Sequence, residues 1–445
     1  MNVVILGGGT VGTSICKVLG TRHNVCLVDP DPEVLEIAGE QLDVQTVKGS
    51  ACDAVTLFQA GVQSADLVLA VTSKDEINLV GASLSKSMGA RRSVARVFNP
   101  SYLDSSTFDY RRHFGIDRLL SLERLTALEL ARSVRMRGMF VLENLVRGGV
   151  EVQEVAVETD SPAAGVPLKD LKFGPGVLAG VFVTDGVARI PNGDDSANAG
   201  DTVTLIGTGD SLEEAAKRFR KNVPPKLLVV IGGGGEIGFN LARVLSKGRF
   251  SVVLMEGDRD RCEELATKLD SVTVLHGDVT RRSEMEEARV DRADVFVAAT
   301  GRDEDNIVCG VEARELGAGR IMSVVRRPDY ANVLGKLGID VAVSPRSVMT
   351  RQVDGMVQTG AVLARFDVAG NQAAVYEVEV REGCDLIGVP LKDAGFRGAL
   401  VAAIDREEFV RVPGAEDMLK AGDVAVVLAQ ADAAEGVLER FEAQG

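Results

Sequence analysis

The sequence predicts an α/β protein: two doubly wound parallel sheets in tandem, each followed by a small β-rich α+β domain. Three observations carry that expectation. Residues 3–31 read as strand, glycine turn, helix and strand, from Val3-Val4-Ile5-Leu6 through Gly7-Gly8-Gly9-Thr10-Val11-Gly12 to Val25-Cys26-Leu27-Val28 ending in Asp29. The pattern returns as Leu227-Leu228-Val229-Val230-Ile231, Gly233-Gly234-Gly235-Glu236-Ile237-Gly238, and Val252-Val253-Leu254-Met255 ending in Glu256. From residue 140 to about 205 the apolar period changes to two, as in Val150-Glu151-Val152-Gln153-Glu154-Val155.

The first stretch defines a Rossmann-like nucleotide site. Gly7 permits the tight turn, Gly9 lets the backbone approach a pyrophosphate, and Gly12 lets the helix lie close to the strand. The helix starting there offers free N–H groups and partial positive charge to phosphates. Asp29 is placed to accept hydrogen bonds from the adenosine ribose, which favours NAD or an adenine nucleotide over NADP. The plainer reading of Asp29 and Glu256 is a solvated strand end.

The repeat runs the length of the chain and takes precedence over other readings. Ala65-Asp66-Leu67-Val68 returns as Ala293-Asp294-Val295-Phe296, Asp75-Glu76-Ile77-Asn78 as Asp303-Glu304-Asp305-Asn306, and Pro100-Ser101-Tyr102 as Pro328-Asp329-Tyr330. Val166-Pro167-Leu168-Lys169-Asp170 matches Val389-Pro390-Leu391-Lys392-Asp393, and Ala199-Gly200-Asp201 matches Ala421-Gly422-Asp423. Four domains are expected: sheets at 1–137 and 226–345, small domains at 138–222 and 346–445. Asn222-Val223-Pro224-Pro225-Lys226 is the linker between units, and since Pro-Pro cannot continue a helix the main boundary falls there.

Taken in order, Pro32 opens a helix to about Gln41, and Val44-Gln45-Thr46-Val47 is a third strand ending near Ser50. A helix at 54–60, a strand at 67–71, a helix capped by Thr72-Ser73-Lys74-Asp75 and a strand at 93–97 follow. Residues 102–114 read as helix, 117–121 as a sixth strand and 123–137 as a helix leaving the sheet. Ligands of such sheets lie beyond the carboxyl ends of the strands, where Gly7, Asp29, Ser50 and Thr72 converge. Arg96, on the fifth strand, reaches a phosphate or a base, or forms a surface salt bridge; its counterpart is Val324, with Arg326 and Arg327 nearby. Ser50 corresponds to Asp278.

With 445 residues and a net charge of −15, sequence-independent nucleic-acid binding is disfavoured. No apolar run approaches the roughly 18–20 residues that span a bilayer, and the first strand begins at once, leaving no room for a signal peptide. Cys16, Cys26, Cys52, Cys262, Cys309 and Cys384 show no paired spacing, as expected of reduced thiols in a cytosol. No metal-ligand spacing, nucleophile elbow or Walker lysine is present, and His23, His113 and His276 fit no acid–base motif. Duplicated cofactor crevices without catalytic apparatus read as a sensor.

On these residues the whole chain resembles the TrkA family, peripheral subunits of Trk-type bacterial potassium uptake systems with two potassium-conductance-regulating modules. The match is carried by Gly7, Gly9 and Gly12 with Asp29, Gly233, Gly235 and Gly238 with Glu256, the segments 72–78 and 300–306, and the two repeats in the small domains. The resemblance implies a cytoplasmic, non-catalytic protein that binds NAD(H), with ATP or ADP as further ligands. It also implies a ring, a tetramer of tandem units, on the inner membrane face, gating a membrane potassium transporter subunit. Carried over, the first cleft uses Gly7, Gly8, Gly9, Thr10, Val11, Gly12, Asp29, Thr72, Ser73 and Arg96. The second uses Gly233, Gly234, Gly235, Glu236, Ile237, Gly238, Glu256, Thr300 and Gly301. The helices at 102–114 and 123–137 are expected to join copies. The alternatives are an NAD-dependent oxidoreductase relying on His276 or His113, and a scaffold that binds no nucleotide.

Overall fold

The computed structural model describes residues 1–104, 107–134, 142–145, 150–174, 176–207, 209–220, 226–246, 250–327, 330, 334–358, 361–406 and 409–441. The first parallel sheet is built from β1 (Asn2–Leu6), β2 (Asn24–Asp29), β3 (Gln45–Lys48), β4 (Leu67–Ala70), β5 (Ser93–Arg96) and β6 (Arg118–Leu120). Its helices are α1 (Thr10–Leu19), α2 (Pro32–Gln41), α3 (Ala54–Gln59), α4 (Asp75–Ser87), α5 (Tyr110–His113) and α6 (Leu122–Ser133). An antiparallel sheet follows, of β7 (Leu142–Leu145), β8 (Val150–Ala156), β9 (Val177–Thr184), β10 (Val187–Arg189) and β11 (Thr202–Gly207), then α7 (Gly209–Phe219).

The second parallel sheet comprises β12 (Leu227–Gly232), β13 (Phe250–Glu256), β14 (Val272–His276), β15 (Val295–Ala298), β16 (Arg320–Val324) and β17 (Val341–Val343). With it come α8 (Glu236–Ser246), α9 (Arg259–Lys268), α10 (Arg282–Glu287), α11 (Asp303–Leu316) and α12 (Pro345–Gln358). The chain closes with β18 (Val362–Val368), β19 (Ala373–Glu379), β20 (Ala399–Arg406), β21 (Phe409–Arg411), β22 (Val424–Gln430) and α13 (Ala434–Glu439). These elements form two compact units, Met1–Ser133 with Lys226–Val357, and Val134–Pro225 with Gln358–Gly445.

In the first unit the strand orders are β3-β2-β1-β4-β5-β6 and β14-β13-β12-β15-β16-β17, the doubly wound pattern written twice. A central parallel strand is covered on both faces, so β1 is apolar at successive positions rather than alternating. Val3 and Ile5 enter the core shared with α1 and α2, while Val4 and Leu6 enter the core beneath α3 and α4. Helix α1 turns Val11, Ile15, Cys16 and Leu19 inward at helical spacing. Helix α2 starts where Asp31 accepts the Glu33 N–H, with Pro32 in the first turn.

The last helix of each half crosses to the other half. Helix α6 packs along α8 and against β17, while Met349, Val353, Met356 and Val357 of α12 complete the core under β1 and α1. The exchange is fastened symmetrically: Arg92 Nη1 donates to the Met356 carbonyl at 2.9 Å, and Arg320 Nη1 to the Ser133 carbonyl at 2.7 Å. Helix α6, expected to join copies, is thus engaged within its own chain. Residues 135–137 of that expected helix, and residues 222–225 of the expected linker, lie outside the described residues.

The expected helix at 102–114 is not continuous. A 3-10 turn, Pro100–Leu103, ends at Asp104, whose backbone is extended, and α5 is a single turn restarted where Asp109 accepts the Arg112 N–H. Aspartates favour caps over helix interiors, and Asp104 and Asp109 bracket a polar Ser-Ser-Thr run. Ring contacts of Tyr110 with Tyr102 and Phe108 hold the segment instead.

In the second unit the antiparallel sheets have the orders β10-β9-β11-β8-β7 and, run the other way, β18-β19-β22-β20-β21. They share one core, in which Val152, Val181 and Ile206 meet Val375, Ala403 and Leu428. Glu154 accepts the Ala369 N–H at 2.8 Å, and Gln430 Nε2 donates to the Ala188 carbonyl at 3.0 Å. A groove of about 520 Å³ is lined symmetrically by Leu168, Phe173 and Pro191 and by Leu391, Phe396 and Pro413.

Candidate nucleotide-binding sites

Each parallel sheet carries one cleft at the carboxyl ends of its central strands. In the first, Gly7 has φ +110°, and a Cβ there would sit 2.9 Å from the Thr72 nitrogen. A Cβ on Gly12 would run into the Gly7 carbonyl oxygen. Gly9, the residue before α1, has φ −64° and nothing within 4 Å of a Cβ position. Its missing side chain therefore leaves open space at an exposed helix N-terminus that has no side-chain cap and no acid in its first turn. Thr10 is exposed beside it, and Val11 is buried. An uncapped N-terminus with room above it is a fit for a phosphate.

Asp29 is held rather than free. Its Oδ2 accepts the Gly8 N–H at 2.7 Å and its Oδ1 the Asp31 N–H at 2.9 Å. A carboxylate has about four acceptor positions, so one on each oxygen remains for ribose hydroxyls. The second cleft repeats the arrangement: Glu256 Oε2 accepts the Gly234 N–H at 2.7 Å and Oε1 the Asp258 N–H at 2.9 Å. Gly233 has φ +111°, a Cβ on Gly238 would meet the Gly233 carbonyl oxygen, and Gly235 faces open space.

The fourth strand end is fixed by Asn78, part of the repeated segment 72–78 but not among the expected site residues. Asn78 is fully buried and uses its whole amide. Its Oδ1 accepts the Thr72 N–H (2.8 Å) and hydroxyl (2.7 Å), and its Nδ2 donates to the Thr72 (3.1 Å) and Arg96 (2.9 Å) carbonyls. Asn306 does the same for Thr300 and Val324. Asp75 and Asp303 accept N–H groups from the loops beyond β5 and β16. The preserved spacing of the aspartate and asparagine in both copies was the available signal. Ser73 and Gly301 lie exposed on the loops after Thr72 and Thr300.

Arg96 is not a surface residue. It is 8% exposed, stacks over the Phe98 ring at 3.9 Å and pairs with Glu123 at 3.4 Å. Burial pulls its guanidinium below the ordinary value, partly offset by Glu123. Glu123 lies in the first turn of α6, so the first cleft is tied to the helix that packs on α8.

The second cleft differs where phosphates would sit. Glu236 is the first residue of α8 and Ile237 is buried behind it. Arg261 Nη2 donates to Glu236 Oε1 at 2.9 Å, its Nε to the Gly234 carbonyl at 3.1 Å and its Nη1 to Glu264 at 2.6 Å. Arg326, at the position of Phe98 in the first copy, donates to the Gly301 carbonyl and lies 4.0 Å from Asp303. Asp278 is turned inward on Thr280, which lowers its pKa.

The His113 ring meets Phe108 at a tilt and Phe114 edge-on, and a ring nitrogen of His276 lies 3.1 Å from the Gly257 carbonyl. All six cysteines are free thiols. Among the described residues no group of three His, Cys, Asp or Glu side chains is placed to hold a metal ion, and no helix is long and apolar enough to cross a membrane.

The TrkA-N domain matches residues 3–121 and 229–345, and the TrkA-C domain matches 152–220 and 375–442. The Trk system potassium uptake protein TrkA homolog of Archaeoglobus fulgidus is 32% identical over 99% of this chain and 100% of its own length. TrkA homolog 1 of Methanosarcina mazei is 31% identical over 99% and 100%, and TrkA of Azorhizobium caulinodans 30% over 99% and 98%. The fold is similar to that of the GsuK channel bound to NAD, with a TM-score of 0.60 and 19% identity over 99% of this chain and 78% of that one. With the family match spanning both copies of both domains, the chain belongs to the Trk system potassium uptake protein TrkA family.

Proposed function

We propose that this protein is a cytoplasmic, non-catalytic regulatory subunit that binds NAD(H) and adenine nucleotides, ATP or ADP, and gates a membrane potassium uptake transporter. The observation that carries the reading is the duplicated turn: an open glycine at an uncapped helix N-terminus, beside an acid that already holds the turn. The kinship to Trk potassium uptake proteins supports the transporter partner. The resemblance to NAD-bound GsuK supports the fold alone. The copies assemble as a ring, a tetramer of tandem units, on the inner face of the membrane.

Gating is a population shift. A nucleotide that binds one arrangement of the paired sheets better than another pulls the chain, and the attached pore, toward it. Helix α6 offers the mechanical link, since its first turn carries Glu123 beside Arg96 in one cleft and the helix packs along α8, whose first residue floors the other. A ligand phosphate that draws Arg96 from Glu123 changes the seat of α6. Co-reconstitution with a Trk-type membrane subunit tests the reading: potassium flux should change with NADH or ATP, with no nucleotide consumed. Flux indifferent to nucleotide, or oxidation of NADH coupled to a substrate, would overturn it.

A further inference from the structure

The two clefts are built from one repeated pattern, so each serves as a control for the other. At the helix N-terminus of the first stand Gly9, Thr10 and Val11, none charged, and Val34 packs over Gly8. In the second, the residue at the Thr10 position is Glu236 and the residue at the Val34 position is Arg261. The Glu236 carboxylate sits in the first turn of an eleven-residue helix, where the backbone field favours an anion. Arg261 grips it at 2.9 Å while also bonding the Gly234 carbonyl, so the turn is held by Glu256 through its N–H and by Arg261 through its oxygen. Glu236 Oε2 is shut off from solvent without a hydrogen-bond partner among the described residues.

We infer that Glu236 is an internal competitor for the phosphate position of the second cleft, and that Arg261 is the cation a bound nucleotide inherits when it displaces that carboxylate. The inference rests on the nucleotide reading of the clefts and deepens it by making them unequal. The first takes a polyphosphate directly. The second takes one only by ejecting a carboxylate that the helix field and Arg261 hold through its Oε1, so it fills at higher nucleotide concentration and with stronger salt dependence. A carboxylate and a pyrophosphate cannot share one helix N-terminus without like-charge repulsion in a partly buried site.

The test isolates the second cleft. Gly9→Glu places a charged side chain in open space and silences the first cleft, and ADP is then titrated calorimetrically into that full-length chain. Adding Glu236→Gln keeps the size and the acceptor for Arg261 but removes the charge, and should tighten ADP binding about tenfold. Adding Arg261→Gln on top should cancel the gain, with the melting temperature of each variant confirming that it is folded. An unchanged or weaker affinity for Glu236→Gln, or a gain that survives loss of Arg261, would overturn the inference, while ADP binding by the wild-type chain would leave the nucleotide reading standing. No heat from any variant, with none from the wild-type chain, would overturn the nucleotide reading along with it.

Discussion

Asp29 accepts the Gly8 N–H at 2.7 Å, and Glu256 accepts the Gly234 N–H at the same distance. In each copy the acid proposed to take the ribose is also the clasp of the glycine turn, so on that reading recognition of the sugar and shaping of the turn fall to one side chain. Asp29→Ala should therefore weaken NADH binding at the first cleft by at least about tenfold and cost about 1–2 kcal/mol of stability, because a charge-assisted bond is lost with the ligand contact. Calorimetry and thermal melts on the same preparation check both effects, and the second cleft should be unaffected.

Asn78 and Asn306 are structural counterparts of that clasp. Asn78→Ala leaves the Thr72 N–H and the Arg96 carbonyl without their side-chain partner in a buried setting. A loss of about 2–4 kcal/mol is expected, read as a lower denaturation midpoint. Thr72→Ser, which keeps all three bonds to Asn78, should be nearly silent.

Arg96 and Glu123 test the link from the first cleft to α6. Glu123→Ala leaves a buried guanidinium unpaired and should cost about 3 kcal/mol. The double variant Arg96→Met with Glu123→Gln should be less destabilised than Glu123→Ala alone, because no buried charge is stranded. A double variant as unstable as the sum of its parts would mean the pair is not coupled.

Burial pushes the Cys16 and Cys309 thiols up to about 12 and Cys26 up to about 11. Below about pH 9 these thiols are protonated in both folded and unfolded chains and contribute no pH dependence. Above it the unfolded thiols ionise while the folded ones do not, so stability should fall from about pH 9 until the folded values near 11 and 12 are passed. Cys16→Ala with Cys309→Ala should flatten that alkaline limb in denaturant titrations. Ellman's reagent at neutral pH should reach Cys52, which is half-buried, well before these three.

Local pattern made β1, α1, β2 and the start of α2 readable, because a strand buried on both faces, a glycine turn and an Asp-Pro cap each act within a few residues. The repeat made the second copy readable from the first. The exchange of α6 and α12 was not, since Ala127 and Met349 would be equally apolar against their own sheet or the other. The break between Leu103 and Tyr110 was missed because the aromatic spacing there imitates a helix while the aspartates act as caps. Arg96 read as either a ligand group or a surface ion pair, and burial with Phe98 and Glu123 is a third outcome decided by tertiary packing. Arg261 had no signal, because its counterpart in the first copy is the uncharged Val34.

The central claim is that this chain carries two separate nucleotide clefts, each opened by one glycine. Calorimetric titration of NADH and ADP into the wild-type chain, Gly9→Glu, Gly235→Glu and the double variant tests it most directly, since neither new side chain meets a protein atom within 4 Å of its Cβ. Each single variant should remove one binding event and keep the other, and the double variant should bind nothing while melting as the wild type does. Undiminished binding in the double variant would place the nucleotide elsewhere and contradict the account.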